Sequence, residues 1–243
     1  MKDGPLQLSK MRRSHTFSIG EFYHLYNRGT DKREIFLDVH DYHRFILLLY
    51  FCNTRNPINL GEEFRRGRSF AELFEMNRGE PLVAIGAWCL MPNHIHLLVK
   101  EIFEGGMTIF MRKVMTGYSM YFNIKYKRTG NLFQGRFKSE HADTDVYLKY
   151  LFSYIHLNPI KLIPGESEWK NSGIKNIDEA KDFLSKYEYS SLASYINDSH
   201  RYKKIIAKDQ FPEYFPTGEV IWNEILEWLT LISSAEDGPL QKK

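Results

Sequence analysis

Four stretches of the chain combine apolar, aromatic and β-branched residues and end at turn-forming residues, a pattern typical of β-strands. They are Phe22 to Arg28, Leu82 to Met91, Ile95 to Lys100 and Leu132 to Glu140. The second and third are separated only by a short segment that contains Pro92-Asn93, a strong turn pair. These two stretches are therefore predicted to form a hairpin.

Three other stretches carry apolar residues at helical spacing. They are Asp41 to Phe51, Thr108 to Lys127 and Val146 to Leu157. Asp143 or Thr144 can cap the third helix at its start. In chain order the elements run strand, helix, strand, strand, helix, strand, helix. This order predicts an α+β fold, in which a ferredoxin-like antiparallel sheet carries its helices on one face.

The organisation along the chain follows from shifts in composition. Residues 1–18 are polar and basic and are expected to be a mobile lead-in to a domain that spans 19–164. Within that domain, residues 53–79 are polar and are expected to form a loop with a short helix inside it. Residues 165–243 begin with a polar linker and continue as a mainly helical C-terminal extension.

The composition fits a soluble, folded protein. Of the 243 residues 43% are hydrophobic, which supports a real core and argues against general disorder. Cys52 and Cys89 are far apart, so neither a disulfide framework nor a cysteine zinc site is expected. No apolar run is long enough to cross a bilayer, and the first residues lack the apolar core of a secretory signal. We therefore expect a cytoplasmic protein that does not bind membranes.

The pair His94 and His96 is the first candidate site. Residues at i and i+2 of a strand point to the same face with Cα atoms less than ~7 Å apart, so both imidazoles can reach one metal ion. Ile95 then points to the opposite face, where an apolar side chain suits burial. The triplet alone does not separate a metal site from a structural pair, and it needs a third ligand and a reactive group.

The helix predicted at Val146 to Leu157 supplies both candidates. Tyr147, Tyr150, Tyr154 and Asn158 follow one another by three or four residues, which places them along one helix face. An aromatic stripe packed on the sheet is the alternative. Other residues already give this helix an apolar face, however, and a polar amide in line with tyrosines is a poor core residue. An amide oxygen could complete a two-histidine metal site beside a tyrosine, whereas His156 lies away from this face.

Between Glu104 and Glu140 the chain has no acidic residue, although it has many basic and aromatic ones. Cations without local counter-charges, interleaved with aromatic rings, favour a polyanion partner in which phosphates pair with the cations and bases stack. The segment and the turn after the first strand together provide the candidate DNA-binding residues. These are Arg28, Lys32, Arg33, Arg112, Lys113, Lys125, Lys127, Arg128, Arg136 and Lys138.

These features resemble a known family. The segment Ala87-Trp88-Cys89-Leu90-Met91-Pro92-Asn93-His94-Ile95-His96-Leu97-Leu98 is similar to the HUH motif of the single-tyrosine, insertion sequence 200-like transposases. Further segments, which occur in the family's order, resemble the branch called REP-associated tyrosine transposases. These are Tyr26-Asn27-Arg28-Gly29, Gly130-Asn131-Leu132-Phe133-Gln134-Gly135-Arg136-Phe137-Lys138-Ser139, Tyr154-Ile155-His156-Leu157-Asn158-Pro159 and Tyr189-Ser190-Ser191 with Tyr195.

The resemblance implies an enzyme that cuts and rejoins single-stranded, hairpin-forming DNA through a 5′-phosphotyrosine intermediate. It implies that Tyr154 is the nucleophile, that His94 and His96 hold Mg²⁺ or Mn²⁺, and that Asn158 is the third ligand. Tyr150, one turn earlier, could be mistaken for the nucleophile. The ligand set does not by itself exclude zinc. Relatives act as monomers or as homodimers that exchange tyrosine helices, so the oligomeric state stays open.

Two other functions share these features. A replication initiator or relaxase has the same nuclease core, although the sequence contains no GxxxxGK[ST] loop for a helicase. A non-catalytic nucleic-acid-binding protein derived from such a nuclease is the second alternative. Every motif residue is in place, which argues against it.

Overall fold

The structure is a computed structural model that describes residues 17–56, 59–169 and 173–234. Its centre is an antiparallel sheet with the strand order β2-β3-β1-β4. The strands are β1 (Phe22–Arg28), β2 (Val83–Met91), β3 (His94–Glu101) and β4 (Lys138–His141). This sheet and its helices confirm the predicted ferredoxin-like α+β fold.

Three of the four strands begin and end within two residues of the predicted positions, and the fourth does not. Strand β4 begins only at Lys138, so the prediction of a strand from Leu132 was wrong. Gly130 and Gly135 adopt φ values of 85° and 72°, a left-handed conformation that turns the chain away from extended pairing. One isolated bridge, between Gly29 and Phe133, keeps this segment beside the end of β1.

The described helices are α1 (Val39–Phe51), α2 (Leu60–Arg65), α3 (Phe70–Glu75), α4 (Gly106–Lys125), α5 (Asp145–Leu157), α6 (Ile177–Lys186), α7 (Leu192–Ile196) and α8 (Gly218–Ser234). Short 3-10 helices span Thr30–Lys32, Asn158–Leu162, Lys203–Ile205 and Lys208–Gln210. The predicted loop at 53–79 holds two short helices rather than one. Helix α5 starts after Thr144, whose side chain accepts a hydrogen bond from the backbone of Tyr147, as the cap prediction required.

The sheet is covered on both faces. Helices α1 and α4 pack on the face that carries Leu25, Trp88 and Leu97, whereas α5, which was predicted to share that face, lies on the opposite one. Helix α5 and the C-terminal extension cover the opposite face, where they pack on Cys89 and Leu98 of the sheet. His24, Tyr26, His94 and His96 belong to this second face by strand alternation. The site therefore lies between the sheet and α5.

The C-terminal extension is joined to the edge of the sheet by backbone hydrogen bonds. The Leu90 amide donates to the Tyr189 carbonyl at 2.9 Å, and the Ser191 amide donates to the Trp88 carbonyl at 2.9 Å. Trp169, which lies in the predicted linker, is 1% exposed in the core beneath α5. The extension thus buries the outer side of the helix that carries the tyrosines.

Residues 1–16 of the predicted lead-in lie outside the described residues. Phe17, the first described residue, packs edge-on against Tyr23 with ring centres 4.9 Å apart. The division of the chain at residue 164 stays a prediction. Among the described helices, none is both long and apolar enough to cross a membrane.

Candidate active site

Strand β3 places the two imidazoles of His94 and His96 side by side. Their ring centres are 5.0 Å apart and their planes are nearly perpendicular, at 86°. Ile95 between them is 0% exposed and packs with the opposite core, as the alternation predicted. His96 is 6% exposed, whereas His94 at the turn is half-buried. One cation can therefore approach both rings from the side of His94.

Each of these imidazoles is held at Nδ1 by a protein partner. His96 Nδ1 lies 2.8 Å from His24 Nε2, and the two rings stack with centres 5.0 Å apart. His94 Nδ1 lies 2.5 Å from Asn93 Oδ1. Coordination through Nε2 would keep both contacts intact. Histidine ligands of metals in proteins commonly use one ring nitrogen for the metal and the other for such a fixing bond.

Tyr154 projects from α5 towards the same place. Its ring centre is 5.6 Å from that of His96 and 5.8 Å from that of His24, edge-on to both. Tyr150, the competing candidate, has its described ring contacts with Tyr147, Tyr154 and Trp228 at 5.1–6.1 Å instead. Of the two tyrosines, the structure brings Tyr154 to the histidines of its own chain.

Asn158 lies one helical turn beyond Tyr154 and is 0% exposed. Its Nδ2 donates to the Tyr154 backbone carbonyl at 2.8 Å, and its Oδ1 accepts a long contact of 3.4 Å from Lys161 Nζ. These bonds orient the amide and end the helix. Its use as a metal ligand stays a prediction.

Glu140 on β4 contacts three residues of the site. Its carboxylate accepts hydrogen bonds from the hydroxyls of Tyr26 at 2.9 Å and Tyr147 at 3.1 Å, and His24 Nδ1 lies 3.9 Å away. The His24 imidazole, followed by the two phenols, lowers the pKa of the Glu140 carboxyl to about 2. Glu140 is therefore a carboxylate at neutral pH and can only accept hydrogen bonds.

The tyrosines of the site are held in the protonated form. Burial, together with Glu140, raises the pKa of Tyr26 to about 12. Burial also raises the pKa of Tyr154, although a hydrogen bond from the Asn158 side chain opposes this shift. The Tyr154 phenol must accordingly lose its proton during a reaction rather than before it.

His24 and Glu140 were not predicted as site residues from the sequence. The available signal was the alternation of β1, which puts His24 and Tyr26 on one face. What was missing was the register, in which Tyr26 pairs with His96 and His24 pairs with Glu140. The pairing of segments so far apart in the chain cannot be predicted from the sequence of either segment alone.

The predicted basic residues separate into two groups. The end of the sheet next to His94 carries Arg28, Lys32, Arg33, Arg136 and Lys138, all exposed. There the Gly29 amide donates to the Asn93 carbonyl and the Gln134 amide to the Arg28 carbonyl, which joins the turn to both neighbouring segments. By the register of β4, Lys138 shares the face of Tyr26.

The other group lies on or after α4, and part of it has internal partners. Lys125 Nζ binds Asp38 and the buried Asp41 at 2.7–2.8 Å, so the absence of acidic residues in the local sequence does not mean an absence of counter-charges in space. Lys113 Nζ donates to backbone carbonyls of residues 54 and 56. Arg112 is exposed, as is Lys127, and Arg128 lies over the Phe122 ring.

The two imidazoles fit a divalent ion by donor type, since both ligands are neutral nitrogen donors fixed at their second nitrogen. Within the described residues there is no group of three or more His, Cys, Asp or Glu side chains that could hold a metal ion. A site here must therefore be completed by a donor outside that set, such as an amide, water or a phosphate oxygen.

Residues 48–158, slightly less than half of the chain, match the family model for the IS200-like transposases. This segment contains His94, His96, Tyr154 and Asn158, and it excludes β1. No curated protein matches the chain.

A solved structure described as "Structure of the REP associates tyrosine transposase bound to a REP hairpin" is similar at 14% identity and a TM-score of 0.43. The similarity covers 74% of this chain and 81% of that one.

Proposed function

We propose that this chain, whose residues 48–158 match the family model of the IS200-like transposases, is an endonuclease that cuts and rejoins single-stranded DNA. The observation that supports this most directly is the position of Tyr154, with its ring 5.6 Å from that of His96 in the same chain. The motifs around both residues favour the REP-associated branch.

In the proposed reaction the Tyr154 oxygen attacks the scissile phosphorus. The bond between phosphorus and the 3′ oxygen breaks, so the products are a 5′-phosphotyrosyl link and a 3′-hydroxyl. The phenol proton passes to solvent during the attack, and the departing 3′ oxygen takes up a proton from solvent. Attack by a 3′-hydroxyl on the phosphotyrosine reverses the step, so rejoining needs no external energy source. Helix α5, which carries Tyr154, would hold the nucleophile in a fixed orientation for in-line attack.

His94 and His96 would hold a divalent cation, Mg²⁺ or Mn²⁺, with Asn158 as a proposed third ligand. Such an ion supplies charge neutralisation and orientation at the scissile phosphate. The half-buried position of His94 at the turn leaves this side of the site open to a DNA backbone.

We propose that the DNA strand approaches across the end of the sheet that carries Arg28, Lys32 and Arg33. These exposed cations adjoin Asn93 and His94. Phosphate pairing at this place would position the scissile bond between the histidines and Tyr154. A strand beside a hairpin is the substrate that the motif resemblance implies.

The test is covalent capture. The protein is incubated with end-labelled, hairpin-bearing single-stranded DNA and Mn²⁺, and the products are separated on a denaturing gel. The wild type and Tyr150→Phe are expected to form the adduct, and Tyr154→Phe is expected to form none while it still binds the DNA. An adduct in Tyr154→Phe that is lost in Tyr150→Phe would reassign the nucleophile. No adduct with any hairpin would favour a binding protein without catalysis.

A further inference from the structure

Asn93 connects His94 to the basic turn. Its Nδ2 donates to the Lys32 carbonyl at 3.1 Å, while its Oδ1 lies 2.5 Å from His94 Nδ1. The reverse amide orientation would set Oδ1 against a carbonyl oxygen, and two acceptors cannot bond to each other. Asn93 therefore presents an acceptor to His94, which must carry its proton on Nδ1.

His96 is fixed in a similar way through a longer chain of groups. A carboxylate accepts only, so Glu140 favours the His24 tautomer with the proton on Nδ1, facing the carboxylate. The 3.9 Å separation of His24 Nδ1 and Glu140 Oε2 is too long for a full hydrogen bond, but the negative charge still favours an N–H on that side. His24 Nε2 is then an acceptor, and the 2.8 Å bond to His96 Nδ1 requires the proton to be on His96.

We propose that Asn93 and the pair formed by His24 and Glu140 are positioning residues, which hold both His94 and His96 in the Nδ1–H tautomer with the Nε2 lone pair directed to the metal. This inference rests on the proposed metal site. It adds three residues that do not touch the ion and act through its ligands.

The arrangement has a functional consequence at the turn. The Asn93 amide bonds to the Lys32 carbonyl and the His94 ring at once, so a shift of the basic turn moves the acceptor that holds His94. Binding of a strand at Lys32 and Arg33 is thereby coupled to the orientation of one metal ligand.

The first test reads the tautomers in the wild-type protein without metal. The protein is labelled with ¹⁵N at histidine, kept at pH 7.5 with a chelator, and examined by long-range ¹H–¹⁵N correlation. His24, His94 and His96 are expected to show a protonated Nδ1 and an unprotonated Nε2. A protonated Nε2 on His96, or a tautomer mixture like that of an exposed histidine, would overturn the inference.

The second test measures Mn²⁺ affinity by calorimetry. Asn93→Ala removes the acceptor for His94, and His24→Phe removes the acceptor for His96 but keeps a stacked ring. Both are expected to weaken Mn²⁺ binding by about 10- to 100-fold, as loss of such partners does elsewhere. Far-ultraviolet circular dichroism and a melting curve separate this effect from loss of the fold.

Two matched controls keep their metal affinity if the inference holds. Asn123→Ala removes a bridging amide of the same kind, between Gly130 and Arg128. Glu21→Gln alters a comparable contact between a carboxylate and a histidine, at 2.8 Å from His141. Wild-type Mn²⁺ affinity in Asn93→Ala and His24→Phe would overturn the inference. Wild-type protein that shows the expected tautomers but binds no Mn²⁺ would instead overturn the proposed metal site.

Discussion

The side-chain amide of Asn158 donates to the backbone carbonyl of Tyr154 at 2.8 Å, one helical turn earlier. This bond fixes the orientation of the amide, which has one atom that can act as an acceptor. Oδ1 is that atom, and its described partner is Lys161 Nζ at 3.4 Å, a distance at which a hydrogen bond is weak. The amide can thus be a helix cap, a metal ligand or both.

Substitution at position 158 separates these roles. Asn158→Ala is expected to lower both Mn²⁺ affinity and adduct formation by at least about tenfold, because an oxygen donor is lost. Asn158→Asp restores an oxygen donor and is expected to bind Mn²⁺ more tightly than the alanine variant. Calorimetry and the adduct gel provide the two measurements. If Asn158→Ala bound Mn²⁺ like the wild type and only melted earlier, Asn158 would be a cap alone.

The basic turn can be tested through the salt dependence of DNA binding. Lys32→Ala with Arg33→Ala removes two exposed cations beside His94, so the affinity for single-stranded DNA is expected to fall. The slope of log affinity against log salt is expected to become shallower by about 0.7 for each phosphate contact that is lost. Fluorescence anisotropy at several salt concentrations measures both quantities.

The matched control for this prediction is Lys203→Ala with Lys204→Ala. Both lysines are exposed on a 3-10 helix of the C-terminal extension. The control removes the same charge from another part of the surface. Equal losses of affinity in the two double variants would mean that the effect comes from net charge and not from the turn.

The sequence was sufficient for elements whose pattern is local. Runs of apolar, aromatic and β-branched residues set β1 and the hairpin β2–β3, and alternation within β3 put Ile95 in the core and the two histidines together. The helix spacing put Tyr154 and Asn158 in line. Family motifs then gave these residues a chemical meaning.

Features that depend on pairing between distant segments were missed. His24 and Glu140 meet only because β1 pairs with β3 on one side and with β4 on the other. The late start of β4 has a local origin instead, since the left-handed Gly135 interrupts a segment whose composition favours a strand. Lys125 had no acidic neighbour in sequence, yet it bonds to Asp38 and Asp41 of another element.

His156 gives the folded protein a predictable sensitivity to acid. Complete burial lowers its pKa to about 3, while in an unfolded chain the imidazole takes up a proton near pH 6.5. Between these values the unfolded state binds more protons than the folded state. Protonation of this histidine therefore leaves the free energy of unfolding unchanged well above pH 6.5, and it lowers that free energy progressively as the pH falls towards 3.

Denaturant unfolding between pH 7.5 and pH 4 measures this effect. His156→Gln is expected to be less stable than the wild type at pH 7.5, since Ser191 loses its 2.7 Å partner, but its stability should fall less steeply with acid. Ser191→Ala serves as the control, because it keeps the buried histidine and should retain the steep fall. Equal slopes in the wild type and His156→Gln would refute the assignment.

The packing of the C-terminal extension on the sheet can be tested at Gly86, in the bulge of β2. A Cβ at this position would lie 2.6 Å from Cζ of Phe211, closer than two carbons can approach. Phe211 also packs edge-on against Phe152 of α5, at 5.6 Å between ring centres. Gly86→Ala must therefore displace a ring that supports the tyrosine helix, and we expect it to lower the free energy of unfolding by about 1–3 kcal/mol.

Gly117→Ala is the matched control for Gly86→Ala. A Cβ at this position would meet only the end of the flexible Leu48 side chain, at 3.2 Å. In the interior of helix α4, alanine is also more stabilising than glycine by about 0.5–1 kcal/mol. Denaturant unfolding of both variants gives the comparison, and Gly86→Ala should cost less in a Phe211→Leu background, where the clashing ring is absent. A Gly86→Ala protein as stable as Gly117→Ala, or one whose loss is unchanged by Phe211→Leu, would show that the extension does not need this close approach to hold α5 over the histidines.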